Sequence, residues 1–107
     1  MANEKIAAAD VTPEIIAKWK QQYGSVAKLT IKEKDSVKTA FVRKPTNKEI
    51  DFASANLTRG ALAQYGITLF NTCHIAGDAP ETEDGLRTVG QYMSEMIETV
   101  EVELEKL

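Results

Sequence analysis

Apolar periodicity changes from helical to alternating after Gly24, and that change constrains the fold more than any other feature. Ala27, Leu29 and Ile31 alternate with Lys28, Thr30 and Lys32, and Val37 to Arg43 repeats the alternation after a polar turn at Lys34, Asp35 and Ser36. A period of two belongs to a strand with one buried face. The two runs therefore read as a β-hairpin over residues 26–43. A lone hairpin is marginal in water, so a helix must cover one of its faces or another copy must extend the sheet.

The flanking segments carry the helical period. Thr12, Pro13 and Glu14 mark a helix start, because a Thr hydroxyl accepts an orphan amide and Pro is tolerated at the first helical position. Ile15, Ile16, Trp19 and Tyr23 give this helix one apolar face, and Gly24 supplies its left-handed stop, which predicts a helix over 13–23. Beyond Lys44 and Pro45, the run Thr46-Asn47-Lys48-Glu49 matches a capping box, and Ile50, Phe52, Ala53 and Leu57 supply an apolar side. Gly60 interrupts the pattern. Leu62, Tyr65, Leu69, Phe70 and Cys73 resume it over 61–75, and Gly77 is a second stop signal. A last helix is expected over about 80–106, roughly 39 Å at ~1.5 Å per residue, with its end projecting from the body. The fold class is α+β: an N-terminal helix, a β-hairpin, and a helical region over 46–106 ending in a long amphipathic helix. No linker divides the chain, so residues 1–107 form a single domain.

No apolar run approaches the ~20 residues that span a bilayer, and the first ten residues lack the basic start and apolar run of a secretory signal. The single Cys73 can form no intramolecular disulfide, which fits a reducing compartment. A cytoplasmic protein is expected. Its charge is polarised: residues 1–60 hold 11 Lys and Arg against 7 Asp and Glu, and residues 61–107 hold 2 against 9, for a net charge of −3. Opposite patches on two copies would attract over about a Debye length, roughly 8 Å at physiological salt, favouring head-to-tail association.

Catalytic parts are missing. Cys73 and His74 are the only thiol and the only imidazole, and adjacent helical residues point about 100° apart, which opposes a Cys–His nucleophilic pair. A zinc site would need carboxylates in no recognisable spacing. Glu95, Glu98, Glu101, Glu103 and Glu105 lack the loop that gathers oxygen ligands around a cation, and the six glycines show no phosphate-cradling spacing. No enzyme activity, metal or cofactor is expected.

Two surfaces remain as candidates. Leu86, Val89, Met93, Met96, Ile97, Val100, Leu104 and Leu107 form an apolar stripe on a strongly acidic segment. Its first half would pack in the domain and its second half would be available for self-association, with Leu86, Val89, Met93, Ile97 and Val100 as the interface residues. Lys32, Lys38, Arg43 and Lys44, on or beside the hairpin, are the candidates for nucleic-acid contact. No aromatic platform interleaves them, and the ordinary use of such lysines is to keep an edge strand from aggregating.

The helix ending at Tyr23-Gly24, the hairpin, and Phe41-Val42-Arg43-Lys44-Pro45-Thr46-Asn47-Lys48-Glu49 together resemble small proteins of tailed bacteriophages and prophages, among them the tail assembly chaperone families. In those families a strand runs through a basic-Pro-Thr segment into a helical region. Asn71-Thr72-Cys73-His74-Ile75-Ala76-Gly77-Asp78 is similar to a segment of uncharacterised phage-type proteins, with His74 where an aromatic or apolar residue is usual. The resemblance implies a non-catalytic accessory protein that binds other phage structural proteins during tail or virion assembly. It would act in the host cytoplasm or associated with the virion, as a homo-oligomer. The alternatives are a minor virion structural or connector protein, a nucleic-acid-binding accessory protein, and a phage inhibitor of a host defence protein.

Overall fold

The computed structural model describes residues 5–97 and 102–107. Helix α1, Pro13–Tyr23, begins where the Thr12 hydroxyl accepts the Ile15 amide at 3.2 Å, and ends where Gly24, at φ +92°, donates its amide to the Lys20 carbonyl. Strands β1, Val26–Glu33, and β2, Ser36–Arg43, pair antiparallel, with Ala27 opposite Val42, Leu29 opposite Ala40 and Ile31 opposite Lys38. The loop between them is only Lys34 and Asp35, and Lys34 takes the positive φ of 45° that so tight a turn demands. Helix α2, Asn47–Thr58, opens with the full capping box of Thr46 and Glu49.

Helix α3, Leu62–Cys73, buries Gly66, Leu69, Phe70 and Cys73, the spacing of one helical face. Here the expected helical region is corrected. His74 and Ile75 leave the helix and form strand β3, His74–Gly77, which pairs antiparallel with β2 across a bulge between Phe41 and Val42. Ile6 bridges Ala76 in parallel on the far side of β3, and the Gly77 amide donates to the Ile6 carbonyl at 2.8 Å. Gly77, at φ +81°, lets the backbone lie against Thr39, where a Cβ would collide with the Thr39 carbonyl oxygen. A third strand from the same chain thus extends the hairpin, in the order β1-β2-β3.

Helix α4 is Glu83–Tyr92, continued by one 3-10 turn over Met93–Met96. It is far shorter than the expected 80–106: Ile97 is extended and residues 102–107 carry no regular structure. The sequence supplies the reason. Ile97 and Val102 are β-branched, Glu95, Glu103 and Glu105 place negative charge where a helix dipole is already negative, and residues 98–101 lie outside the described residues.

The core lies between one face of the sheet, carrying Leu29, Ile31, Ala40 and Val42, and helices α2, α3 and α4, which contribute Ala53, Leu69, Phe70, Cys73, Val89 and Met93. Gly66 and Gly90 make the crossing of α3 and α4 possible, since a Cβ on Gly66 would sit 2.7 Å from the Gly90 carbonyl group. Helix α1 takes the other face of the sheet, where Trp19 meets Phe41 at 5.8 Å between ring centroids. On α2 the expected apolar side divides: Ala53 is buried, whereas Phe52 and Leu57 face outward.

Candidate functional site

The two edges of the sheet differ. Ile6 lies along β3, whereas among the described residues no strand pairs with the outer side of β1. Alternate amides and carbonyls of such a strand point outward, ready for another chain. A groove of about 750 Å³ runs along this edge between β1 and α4. Leu29, Ile31 and Val89 give it an apolar floor, Tyr92 stands 53% exposed at the α4 side, and Lys28, Lys32 and Lys34 lie along the β1 side.

One carboxylate ties the groove's two sides together. Glu33, the last residue of β1, accepts hydrogen bonds from Lys38 Nζ at 3.0 Å, the Glu81 amide at 3.1 Å, and the amide and hydroxyl of Thr82 at 3.1 and 2.8 Å. Thr82 in turn caps α4, its hydroxyl accepting the Gly85 amide at 2.9 Å. Lys38, with the Thr82 hydroxyl and the Glu81 amide, holds the Glu33 carboxyl down to about 2. Glu33 likewise raises the Lys38 ammonium above its ordinary value. Gly85 is the space that permits this contact, because a Cβ there would fall 2.5 Å from Glu33 Oε2 and 2.7 Å from Pro80 Cβ.

The nucleic-acid candidates are not brought to one surface. Lys38 lies on the core side of β2, its side chain 15% exposed and paired with Glu33 and, at 3.6 Å, with Glu81. Arg43 makes two bonds of 2.8 Å to Glu49, donates to the carbonyls of Lys44 and Thr72, and stands 5.4 Å from the centre of the Tyr23 ring. Glu49 and Arg43 shift each other, Glu49 down to about 2 and Arg43 upward. Lys32 is exposed on the sheet's other side, and Lys44 is half-buried. Lys38 and Arg43 are thus engaged within the chain, at opposite ends of β2.

The first half of the C-terminal stripe turns inward, whereas Leu104 and Leu107 are exposed. Val89 is 5% exposed and Met93 fully buried, Leu86 packs on the same core, and Ile97 is half-buried; Val100 lies outside the described residues. Periodicity identifies an apolar face without saying what covers it, and here α3 and the sheet cover its first half. Cys73 is buried, which pushes its thiol up to about 11, and the His74 ring stacks on Phe70 at 5.1 Å. Burial also lowers the His74 imidazole, whose Nε2 has no hydrogen-bond partner among the described residues. His74 thus occupies its position as an aromatic ring would. Among the described residues no three His, Cys, Asp or Glu side chains converge as metal ligands, and no helix is long and apolar enough to cross a membrane.

Sequence periodicity singled out Val89 in this groove but missed Tyr92 and Glu33. Glu33 did carry a signal, being the only acid between Glu14 and Asp35 in a lysine-rich strand. Neither a protein-family model, nor a curated protein, nor a solved structure matches this chain.

Proposed function

We propose that this protein is a non-catalytic binding module that receives an extended segment of another polypeptide along β1, in the groove against α4. The observation that carries the reading is the edge of β1, unpaired among the described residues, beside an apolar groove whose two sides Glu33 joins by hydrogen bonds. Strand addition draws its affinity from main-chain hydrogen bonds and its selectivity from alternate side chains. At this edge those side chains would meet Leu29, Ile31, Val89 and Tyr92 on one side and Lys28 and Lys32 on the other, so segments alternating apolar and acidic residues fit best.

The biological setting we propose is chaperone-like service to phage structural proteins during tail or virion assembly, in the host cytoplasm. Its support is the resemblance carried by Phe41 to Glu49 and Asn71 to Asp78. An assembly factor must cover a partner's edge strand or apolar segment until the partner's own neighbour arrives, and an open strand edge is suited to that task.

The test is capture of partners by the tagged protein expressed with its native operon or phage, with nuclease treatment, at two salt concentrations. Tail or capsid proteins should be retained by the wild type and lost with Tyr92→Asp, which charges the groove without touching the buried core. Recovery of nucleic acid alone, released at high salt, would overturn the reading. Retention of the same proteins by Tyr92→Asp would also overturn it.

A further inference from the structure

The chain's own last residues fit the edge described above. Residues 102–105 read Val-Glu-Leu-Glu, an alternation of period two that ends at Lys106 and Leu107, and residues 102–107 carry no regular structure. Val102 is 82% and Leu104 85% exposed, and Leu107 is fully so. In an extended conformation Val102 and Leu104 share one side while Glu103 and Glu105 share the other. Strand β1 presents the matching surface, with Leu29 and Ile31 on the groove side and Lys28 and Lys32 opposite.

We infer that the β1 edge of one copy receives the C-terminal segment of a second copy as a fourth strand. This rests on the strand-addition reading of the groove and names its occupant. Val102 and Leu104 would cover the apolar floor beside Val89 and Tyr92, and Glu103 and Glu105 would lie next to Lys28 and Lys32. The assignment of sides holds for either strand direction, because both segments alternate with the same period. Six residues at ~3.3 Å each span roughly 20 Å, enough to pair with Lys28 to Lys32. The whole-chain charge pattern acts in the same sense, since a positive first half and a negative second half attract head to tail. A second copy is the occupant, rather than the chain's own end, because Val102 and Leu104 stand in solvent and among the described residues none occupies the groove beside their own β1. Reciprocal exchange between two copies would close a symmetric dimer, and one-way exchange would build a ring or filament.

The test is the mass of the full-length chain by sedimentation equilibrium over a concentration series at low and high salt. Wild type should self-associate, more weakly at high salt. Val102→Lys combined with Leu104→Lys should weaken association by roughly tenfold or more, without loss of the folded circular dichroism spectrum, because both side chains are exposed in the free chain. Lys28→Glu combined with Lys32→Glu should weaken it too, and adding Glu103→Lys and Glu105→Lys should restore it. A wild type that stays monomeric at its highest attainable concentration would overturn the inference. So would association indifferent to the tail variants, or nuclear Overhauser contacts between Leu104 and Leu29 in a monomer, which would assign the edge to the chain's own end. Partner capture that still depends on Tyr92 in a monomeric protein would sink the second-copy assignment and leave the strand-addition reading intact. Loss of that dependence would sink both.

Discussion

Two carboxylates brace this molecule, one at each end of the hairpin, and they arrive at their helices by different routes. Glu49 belongs to the helix whose start it satisfies: it lies in the first turn of α2, accepts the Thr46 amide, and holds Arg43, six residues upstream, through two bonds. Glu33 belongs to a strand and reaches across 48 and 49 residues of sequence to the amides of Glu81 and Thr82 at the start of α4. Both exploit the unpaired amides and positive potential of a helix N-terminus. The first clamp fixes a chain turn that local sequence already favours. The second joins distant elements, and through them sets the width of the groove.

Acid should disarm both clamps together and give the largest effect. Each carboxyl is held at about 2 in the folded protein, below its ordinary 4.5. A depressed folded value means that the stabilisation is fully present above about pH 4.5 and is lost as pH falls through the folded value near 2. Urea midpoints measured from pH 6 to 2 should decline mainly below 4.5. Glu49→Gln and Glu33→Gln should each start lower at neutral pH and decline less steeply. A wild-type midpoint that is flat over this range would show that neither carboxylate is differentially stabilised in the fold.

Removing one clamp comes next. Arg43→Ala deletes the only guanidinium that joins Glu49 to the Thr72 carbonyl, and its own side chain is just 15% exposed. The expected loss is about 2 kcal/mol, because a partly buried carboxylate and a carbonyl lose their donor together. Arg43→Lys should recover only part of it, since an ammonium cannot make the paired contact. Equal urea midpoints for the Ala and Lys variants would show that a positive charge alone contributes nothing measurable here and that the planar guanidinium is required.

The contrast between the clamps also explains what could be read in the chain. Thr12, Gly24 and the capping box at Thr46 and Glu49 are local signals, and α1, the hairpin and the start of α2 lie where they indicate. Strand β3 is a four-residue segment whose identity depends on pairing with Ala40 to Val42, more than thirty residues earlier, so its own residues read as the end of a helix. The same holds for the groove. Leu29 and Ile31 were legible as one face of a strand and Val89 as part of an apolar stripe, but that they face each other depends on the long-range contact of Glu33 with Thr82. The acidic C-terminal run carried both periods at once: Met93, Val100 and Leu107 repeat every seven residues while Val102 and Leu104 alternate with glutamates. Helical spacing then masks the alternation, and only the end of α4 separates the two.

The smallest effect is the most specific to the long-range clamp. Gly85→Ala should improve the intrinsic helix propensity of α4 by up to ~1 kcal/mol. Its Cβ, however, would stand 2.5 Å from Glu33 Oε2 and 2.7 Å from Pro80 Cβ. The carboxylate end can swing away, but doing so breaks its bonds to Thr82, and Pro80 is buried and cannot yield as easily. The two effects oppose each other, so overall stability should change by less than about 1 kcal/mol. The decisive readout is therefore the carboxyl itself: a carbon-13 titration of Glu33 should move from about 2 back toward 4.5, while Glu49 in the same sample stays near 2. If Glu33 does not move, the Lys38 ammonium alone sets its acidity, and the capture of α4 by β1 does not depend on the missing side chain at position 85. If both carboxyls move, the clamps are coupled through β2, and the division between a local and a long-range brace gives way to a single network spanning the hairpin.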